Sequence, residues 1–411
     1  MSAWERHIFS EGHATFPPDI LFYAWARHGD IIYRHGGHNF AKHELSQSLD
    51  SLWALDLNTK IWAEVKTKGK STGPRTKHVG IVYRNALYLF GGEGRGGPSD
   101  MSMYRLDLST HQWTQIKSKG GIKPCRRSEF SGFVYKDQLF IYGGDASNGT
   151  CLGDLWSYGF ESQKWKLLSA SGGTDRKAHQ MWIARDKLYI YGGERLPDSA
   201  TSVYEARSIR AFEYFDLKER TWHKLRCAGD DPWELSESCS LPLYYGQEEP
   251  SAVLIWGGYC ATGNMPLDMD GKLNHDKYGD EYMQFGLPYR KRLLRFDLET
   301  HIFTNLMPTM NTLNPLAQCF AAEMSTENGV TNIIIGEGYG MSPNSQQAKD
   351  HSIEFPDEIR QSYEEAGVPL TESGIQPSVN HSLYKRFMTT GRCLLRRRPP
   401  QVLDGSGSSP Q

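Results

Sequence analysis

A short pattern recurs along this chain: an apolar run ends in a pair of glycines, and an aromatic marker follows at a set distance. In residues 87–116 the pattern is LYLFGG, followed by MYRLDLSTHQW. The glycine pairs are Gly36 and Gly37, Gly91 and Gly92, Gly143 and Gly144, Gly192 and Gly193, and Gly257 and Gly258, with a degraded copy at Gly336. The aromatic markers are Trp62, Trp113, Trp165, Trp222 and Phe303. Such self-similarity indicates a repeat architecture and constrains the fold more than any single motif.

The spacing of the repeat separates its packed part from its loops. Trp62 precedes Gly91 by 29 residues, and the other marker-to-glycine intervals are similar, whereas the glycine-to-marker intervals carry the insertions. Each copy predicts four short strands, which in the second copy are 78–84, 86–92, 103–108 and 112–116. Four antiparallel strands about every 50 residues form the unit of a β-propeller blade. The glycines permit positive φ and close backbone approach where the second strand ends.

The string LYLFGG…MYRLDLSTHQW resembles the Kelch repeat, and the resemblance covers residues 3–340. It implies an all-β, Kelch-type β-propeller. The N-terminal AWERHIF (3–9) matches the fourth-strand pattern of the other copies, and Trp4 stands 32 residues before Gly36. We therefore expect strand 3–9 to close the ring by completing a sixth blade, whose other strands are 317–324, 330–338 and 382–387.

The predicted domain organisation follows from this closure. A single six-bladed propeller is expected over residues 1–389, with strand 3–9 paired to blade six at 317–388. Residues 390–411, which contain RCLLRRRPPQVLDGSGSSPQ from Arg392 onward, are expected to form a disordered basic and Gly/Ser-containing tail.

Composition excludes several classes of partner. The formal net charge is −2, which predicts no global attraction to nucleic acid or membranes. The seven cysteines are scattered and never form C-x-x-C, which favours reduced thiols over disulfides or a zinc site. The N-terminus lacks an apolar signal core, and no apolar run is long enough to span a membrane. We expect a cytoplasmic or nuclear protein.

The order of the strands within a blade indicates which face of the propeller binds a partner. Two kinds of connection lie on the same face of an antiparallel blade: 4→1, from the fourth strand of one blade to the first strand of the next, and 2→3, from the second to the third strand within a blade. The long insertions 194–208, 259–292 and 337–381 are all 2→3 connections. The 4→1 connections contribute the predicted partner-binding residues Arg75, His78, Arg126, Arg127, Arg176, Lys177 and His179. A cationic face of this kind fits an acidic or carboxylate-bearing protein or peptide, because guanidinium groups pair with carboxylates in a bidentate geometry. The alternative is that individual arginines brace neighbouring blades through backbone carbonyls.

Catalytic and metal-binding motifs are weak. In the acidic segment 267–282, the glycine after Asp268 is fourth in the loop, whereas a calcium-binding EF-hand requires it sixth. His275 with Asp270, Asp276 and Asp280 does not match the ligand spacing of iron-dependent Kelch-type specifier proteins. No nucleophile elbow is visible, and nothing supports a copper site of the galactose-oxidase kind. The sequence predicts a non-enzymatic protein without metal or cofactor; a metal-dependent enzyme on a Kelch propeller is an alternative.

The chain also resembles stand-alone Kelch domain-containing proteins that act as substrate receptors of cullin-RING ubiquitin ligases. The resemblance rests on AWERHIF, on RSIRAFEYFDLKERTW (207–222) and on the C-terminal SLYKRFM (382–388). It implies elongin and cullin subunits as partners, although Phe387 stands where the family's docking box has cysteine, and no Leu-Pro segment follows. The interpretation is a protein- or peptide-binding adaptor or substrate receptor, and a cytoskeletal, actin-type scaffold is the other alternative.

Overall fold

The structure is a computed structural model. It describes residues 3–8, 17, 22–38, 48–59, 61–94, 97–98, 101–146, 150–195, 207–209, 211–229, 236–244, 247–258, 293–306, 320–327, 330–336 and 387–393. The described residues contain no helix that is long and apolar enough to cross a membrane.

The described strands form six antiparallel blades of four strands each, ordered from the inner to the outer edge as first to fourth. Blade 1 comprises Ala24–His28, Ile31–His35, Leu52–Asp56 and Ile61–Glu64. Blade 2 comprises Val79–Tyr83, Ala86–Phe90, Met103–Asp107 and Gln112–Ile116. Blade 3 comprises Ser131–Tyr135, Gln138–Ala146, Cys151–Gly159 and Lys164–Ser169.

The remaining blades follow the same order. Blade 4 comprises Gln180–Ala184, Lys187–Tyr191, Glu213–Asp216 and Thr221–Lys224. Blade 5 comprises Cys239–Leu243, Ala252–Trp256, Leu293–Asp297 and Ile302–Asn305. Blade 6 comprises Phe320–Glu327, Val330–Gly336, Phe387–Cys393 and Ala3–Ile8. The first strands of consecutive blades lie side by side from blade 1 to blade 6, and the all-β propeller that the repeat predicted is confirmed.

The ring closes through blade 6. Its fourth strand is the N-terminal segment, with Ala3 opposite Arg392 and Ile8 opposite Phe387. The buried Ala322 of blade 6 shares a core cluster with Trp53 and Trp62 of blade 1. Pairing the two ends of the chain in one sheet removes the open edge that an unclosed ring would expose.

The third strand of blade 6 differs from the prediction. It is Phe387–Cys393, not 382–387. The propeller therefore extends beyond the predicted boundary at residue 389, and the first four residues of the expected tail, 390–393, belong to this strand. The segment is long enough to pair with the second strand on one side and with Ala3–Ile8 on the other. Its threonines, Thr389 and Thr390, favour extended backbone. Residues 394–411 and 382–386 lie outside the described residues.

The glycine pairs perform the predicted role. All five have positive φ at both positions. At Gly143 a β-carbon would lie 2.5 Å from the carbonyl oxygen of Arg176 in the next blade, and at Gly144 it would lie 2.7 Å from the carbonyl oxygen of Ser128. The pair therefore fits between the 4→1 connections of two consecutive blades, where only glycine satisfies both the backbone conformation and the close approach.

The aromatic markers fill the spaces between blades. Trp62, Trp113, Trp165 and Phe303 are buried, and Trp222 is partly buried, with its indole N–H donating to Ser169 Oγ at 3.0 Å. The clusters around them draw residues from two consecutive blades, which is why large aromatic side chains suit the wedge-shaped interface.

The 4→1 connections also cover the outer edges of the blades that they enter. After blade 1, Lys68 donates its backbone N–H to His111 O in blade 2 and forms a parallel bridge with Gln112. After blade 2, Lys119 donates in the same way to Gln163 O in blade 3. Each of these connections is therefore hydrogen-bonded to the next blade, and it covers part of the outer edge of that blade's fourth strand.

Candidate binding face at the channel mouth

A ring of left-handed residues surrounds the mouth of the channel on the face formed by the 4→1 and 2→3 connections. Two positions before the first strand of blades 1 to 5, φ is positive, at 58° for Phe22, 55° for Lys77, 54° for Glu129, 54° for Ala178 and 53° for Glu237. The four residues that follow Phe22 each donate the backbone N–H to the carbonyl of the preceding member, at 2.8–3.1 Å. Non-glycine residues rarely adopt this conformation, and the strain, about 1–3 kcal/mol per residue, is held by contacts between blades.

Glu129 lies between two lysines at this mouth. Lys77 Nζ is 2.6 Å from Glu129 Oε1, and Lys177 Nζ is 2.9 Å from Glu129 Oε2. Burial raises the pKa of Glu129, but the two ammonium groups outweigh burial and hold the pKa below its ordinary value. Burial lowers the pKa of both lysines, yet the neighbouring carboxylates, Glu129 foremost, raise it overall. All three groups are therefore charged at neutral pH.

Three further carboxylates complete this group. Glu93 Oε1 is 3.4 Å from Lys77 Nζ and accepts from Ser128 Oγ at 2.9 Å. Asp145 and Glu194 lie 3.4 and 3.7 Å from Lys177 Nζ. The mouth cluster is defined as Lys77, Glu93, Glu129, Asp145, Lys177 and Glu194.

The mouth cluster has two positive and four negative side chains, a formal charge of −2. Burial raises the pKa of Asp145, which indicates that its carboxylate is incompletely compensated. The predicted cationic mouth is therefore wrong for the part of the face that the structure describes. Lys177 does lie at the mouth, but it is engaged with three carboxylates.

Three predicted binding arginines are internal braces. Arg75, Arg127 and Arg176 are 4%, 0% and 0% exposed. In each, Nη1 donates to the carbonyl of the first glycine of the pair, sixteen residues further along the chain, at 3.0, 3.0 and 2.8 Å. The alternative raised by the sequence, that arginines brace the blades, is confirmed for these residues, and the prediction that they contact a partner is wrong because their guanidinium groups are buried.

Carboxylates complete two of these braces. Arg127 donates from Nη1 and Nη2 to the two oxygens of Asp154 at 2.6 and 2.8 Å. Arg176 donates to Glu213 Oε2 at 2.6 Å and to Ala211 O at 3.0 Å. These bonds hold the 4→1 connection against the third strand of the same blade. Arg126, by contrast, is exposed and stays a predicted partner contact.

The two predicted histidines are buried between blades. His78 Nε2 lies 3.0 Å from His35 Nδ1, and His35 Nε2 lies 3.3 Å from Asp50 Oδ1. His179 packs edge-on against Tyr142, with ring centroids 5.4 Å apart. Burial lowers the pKa of His78 and His179 well below the usual range. Both are neutral interior residues at pH 7, so their assignment to a partner-binding surface is wrong.

Sequence reasoning missed the carboxylates of the mouth, although a signal was present. Glu93, Asp145 and Glu194 each follow a glycine pair directly. Each is also bridged to the residue of the 4→1 connection that precedes the ring position, as Glu194 is to Lys177. A carboxylate at the same repeat position in three consecutive blades predicts an acidic group at one place on the ring.

Within the described ranges, no three His, Cys, Asp or Glu side chains are placed to hold a metal ion. The acidic segment 267–282, with His275, Asp270, Asp276 and Asp280, lies outside those ranges, so the calcium and iron hypotheses stay untested.

The blade count, the paired glycines and the arginine braces define a Kelch propeller. The chain matches the KLHDC2/KLHL20/DRC7 Kelch-repeats domain family over residues 81–315 and belongs to that family. It is 25% identical to Kelch domain-containing protein 3 of Bos taurus over 243 residues, which cover 56% of this chain and 57% of that protein. It is 24% identical to Kelch domain-containing protein 1 of Homo sapiens over 277 residues, 60% of this chain and 64% of that protein.

An enzyme is also among its relatives. The chain is 27% identical over 176 residues to the N-(sulfonatooxy)prop-2-enimidothioate sulfolyase of Thlaspi arvense, covering 41% of this chain and 49% of the enzyme. The chain thus spans between about half and two thirds of the length of these curated relatives.

Proposed function

We propose that this chain is a non-enzymatic propeller that binds a protein or peptide through the face formed by its 4→1 and 2→3 connections. The observation that carries the proposal is the mouth cluster, in which Lys77 and Glu129 belong to the strained ring of backbone and four further charged side chains lie beside them. Strained backbone of this kind is concentrated at ligand-binding sites. Membership in a Kelch-repeats family supports a binding role.

The charge of the mouth cluster suggests which side chain it receives. Its two lysines share Glu129, and Glu93 and Asp145 each lie 3.4 Å from one of these two ammonium groups, so a further cation beside Glu93 and Asp145 would add ion pairs. We propose that a lysine or arginine of the partner docks against Glu93 and Asp145. The acidic partner that the sequence suggested cannot use the buried arginine braces, and any such contact is proposed for Arg126 instead.

The test is capture of partner proteins from cell extract, quantified by mass spectrometry, with Glu93→Gln and Asp145→Asn alone and together. Loss of one charge-assisted hydrogen bond costs about 1.5–3 kcal/mol, so captured partners should fall roughly 10- to 100-fold in the double variant. Asp137→Asn is the matched control, because Asp137 is 69% exposed and lies in a 1→2 turn on the opposite face. Equal capture by the double variant and the control would refute the proposal, provided that both melt like the native chain.

The ligase-receptor role rests on the resemblance of SLYKRFM. Residues 382–386 lie outside the described residues, and Phe387 and Met388 begin the third strand of blade 6, with strands on both sides. Backbone that is engaged in two ladders is poorly placed to form a separate docking helix. We therefore expect partner capture without elongin or cullin subunits, and stoichiometric recovery of those subunits with the native chain would restore the receptor role.

A further inference from the structure

We propose a second docking element, the basic loop, defined as residues 117–126 between blades 2 and 3, and we infer that it binds an acidic segment of a partner protein. The basic loop belongs to the outer part of a 4→1 connection and shares no residue with the mouth cluster. The inference rests on the proposed function, which already assigns an acidic contact to Arg126, and deepens it by defining a second docking element on the same face, with a partner group opposite in charge to the one that the mouth cluster receives.

The basic loop concentrates positive charge in a chain that has a slight negative excess. No Asp or Glu occurs between Asp107 and Glu129, although the whole chain has a net charge of −2. The exposed cations of the loop are Lys117, Lys119, Lys123 and Arg126.

Among the described residues, these four cations have no compensating anion. None of their side chains forms a hydrogen bond or ion pair with any residue in the part of the chain that the structure describes. Two exposed lysines elsewhere do have such partners: Lys66 pairs with Glu64, and Lys136 pairs with Asp186 at 2.5 Å. Uncompensated charge that is concentrated in one short loop attracts a ligand of opposite sign.

The loop is held rigidly at both ends. Lys119 donates its backbone N–H to Gln163 O at 2.8 Å, and Pro124 is buried. The residue that follows the loop, Arg127, is fixed by Asp154 and by the carbonyl of Gly143. A preorganised loop loses little conformational entropy on binding, so more of the contact energy is available as affinity.

An apolar contact lies among the cations. Ile122 is 63% exposed, more than any other large apolar side chain in the described part of the chain. It follows Gly120 and Gly121, whose φ values are +63° and +78° and whose added β-carbons would meet open space. A single exposed isoleucine is ordinary, but here the two glycines turn it outward between Lys119 and Lys123, where a partner could cover it.

The equivalent connection between blades 1 and 2 provides an internal comparison. It carries Lys66, Lys68 and Lys70, and Lys68 makes the same backbone contact with its next blade as Lys119 does. Residues 65–74 contain no exposed large apolar side chain, and Lys66 is paired with Glu64. This connection is therefore basic but lacks the apolar contact.

An acidic protein segment fits better than nucleic acid. The basic loop contains no aromatic residue on which a base could stack, whereas the exposed Ile122 offers a contact for an apolar side chain. We expect the partner segment to contain several Asp or Glu residues and at least one aliphatic residue.

The experiment measures binding of the full chain to a fluorescent peptide rich in Asp and Glu that contains one leucine, by anisotropy at low salt. The native chain should bind, and affinity should fall as salt screens the charges. The variant Lys119→Glu with Lys123→Glu and Arg126→Glu should weaken binding at least about tenfold, as expected if even one charge-assisted contact is lost. Ile122→Ser should weaken the leucine peptide but not its serine counterpart.

The matched control is the variant Lys66→Glu with Lys68→Glu and Lys70→Glu, which makes the same charge change in the preceding connection. The inference is overturned if the native chain does not bind the peptide, if the control loses as much affinity as the basic-loop variant, or if single-stranded DNA of equal charge binds more tightly than the peptide. Asp137→Asn, on the opposite face, should leave peptide binding unchanged, and the variants of the basic loop leave Glu93 and Asp145 intact, so failure of the basic loop and failure of the mouth cluster are distinguishable.

Discussion

Two adjacent arginines offer a sharp test of the brace. Arg127 is fully buried and donates to both oxygens of Asp154 and to Gly143 O, whereas Arg126 is exposed and has no such contacts among the described residues. Arg127→Met and Arg126→Met remove the same charge and keep a similar aliphatic length. Any difference in stability between the two variants therefore reports the brace and not the change in net charge.

The expected magnitude follows from what Arg127→Met leaves behind. Removing one partner of a buried ion pair costs about 3–5 kcal/mol, and the lower end applies because Asp154 is 20% exposed and water can reach it. The entropy of unfolding is about 2.1 cal/mol/K per residue, so in a chain of 411 residues a cost of about 3 kcal/mol lowers Tm by roughly 3–4 °C. Arg126→Met changes stability by no more than about 0.5 kcal/mol, which is usual for surface substitutions.

Thermal melts followed by circular dichroism at pH 7 and near pH 4 measure both effects. Burial raises the pKa of Asp154, but the hydrogen bonds and charge of Arg127 lower it overall. The native pair thus contributes stability above the unfolded pKa, about 3.9, and loses it as pH falls through the folded pKa. Without Arg127, burial alone should raise the pKa, so the deficit of Arg127→Met should shrink near pH 4. Equal Tm values for the two variants at pH 7 would refute the brace.

Three further predictions concern the ring. Gly143→Ala, which forces a β-carbon against the next blade, should lower the denaturation midpoint far more than Gly120→Ala, whose φ is nearly the same but which meets open space; similar midpoints would contradict the role of the glycine pair. Burial lowers the pKa of His179, so the stability that neutral His179 contributes is lost as pH falls below the unfolded pKa of about 6.5. His179→Phe, which places at this position the residue that blade 3 has as Phe130, should therefore reduce the fall in Tm between pH 7 and pH 5. An unchanged fall in Tm would exclude His179 as the source of this pH dependence. Deleting residues 1–9 should lower Tm and promote aggregation by exposing the third strand of blade 6, and a deletion variant that melts like the native chain would show that the strand is dispensable.

The repeat could be recognised from sequence because its requirements are local. Gly143 is glycine because of a backbone conformation, which recurs in all five glycine pairs, and because of a close approach, which recurs at Gly36 and Gly91. Trp165 is aromatic because it fills a gap of constant shape. The third strand of blade 6 was misplaced because it follows the insertion 337–381, where no repeat spacing remains to fix its register.

The arginines were misassigned because the sequence shows which connection a side chain belongs to, but not whether it points into the blade. The spacing contained the missing information. Arg75, Arg127 and Arg176 all precede their carbonyl partners by sixteen residues, across blades whose loops differ in length. A constant distance to a structural glycine indicates an internal contact, since a residue that serves an external partner has no reason to keep it.

Positions that vary between blades identify where binding specificity can arise. The position just before each brace is Pro74, Arg126 and Asp175 in three successive blades, and it is exposed in all three. Proline, a cation and an anion at one repeat position share no structural requirement, so each blade is free to present a different group at the same height on the face. The brace arginine fixes the backbone of each 4→1 connection, whereas the residue just before it differs from blade to blade. A ring of similar blades can therefore present an asymmetric surface, of which the basic loop is one part.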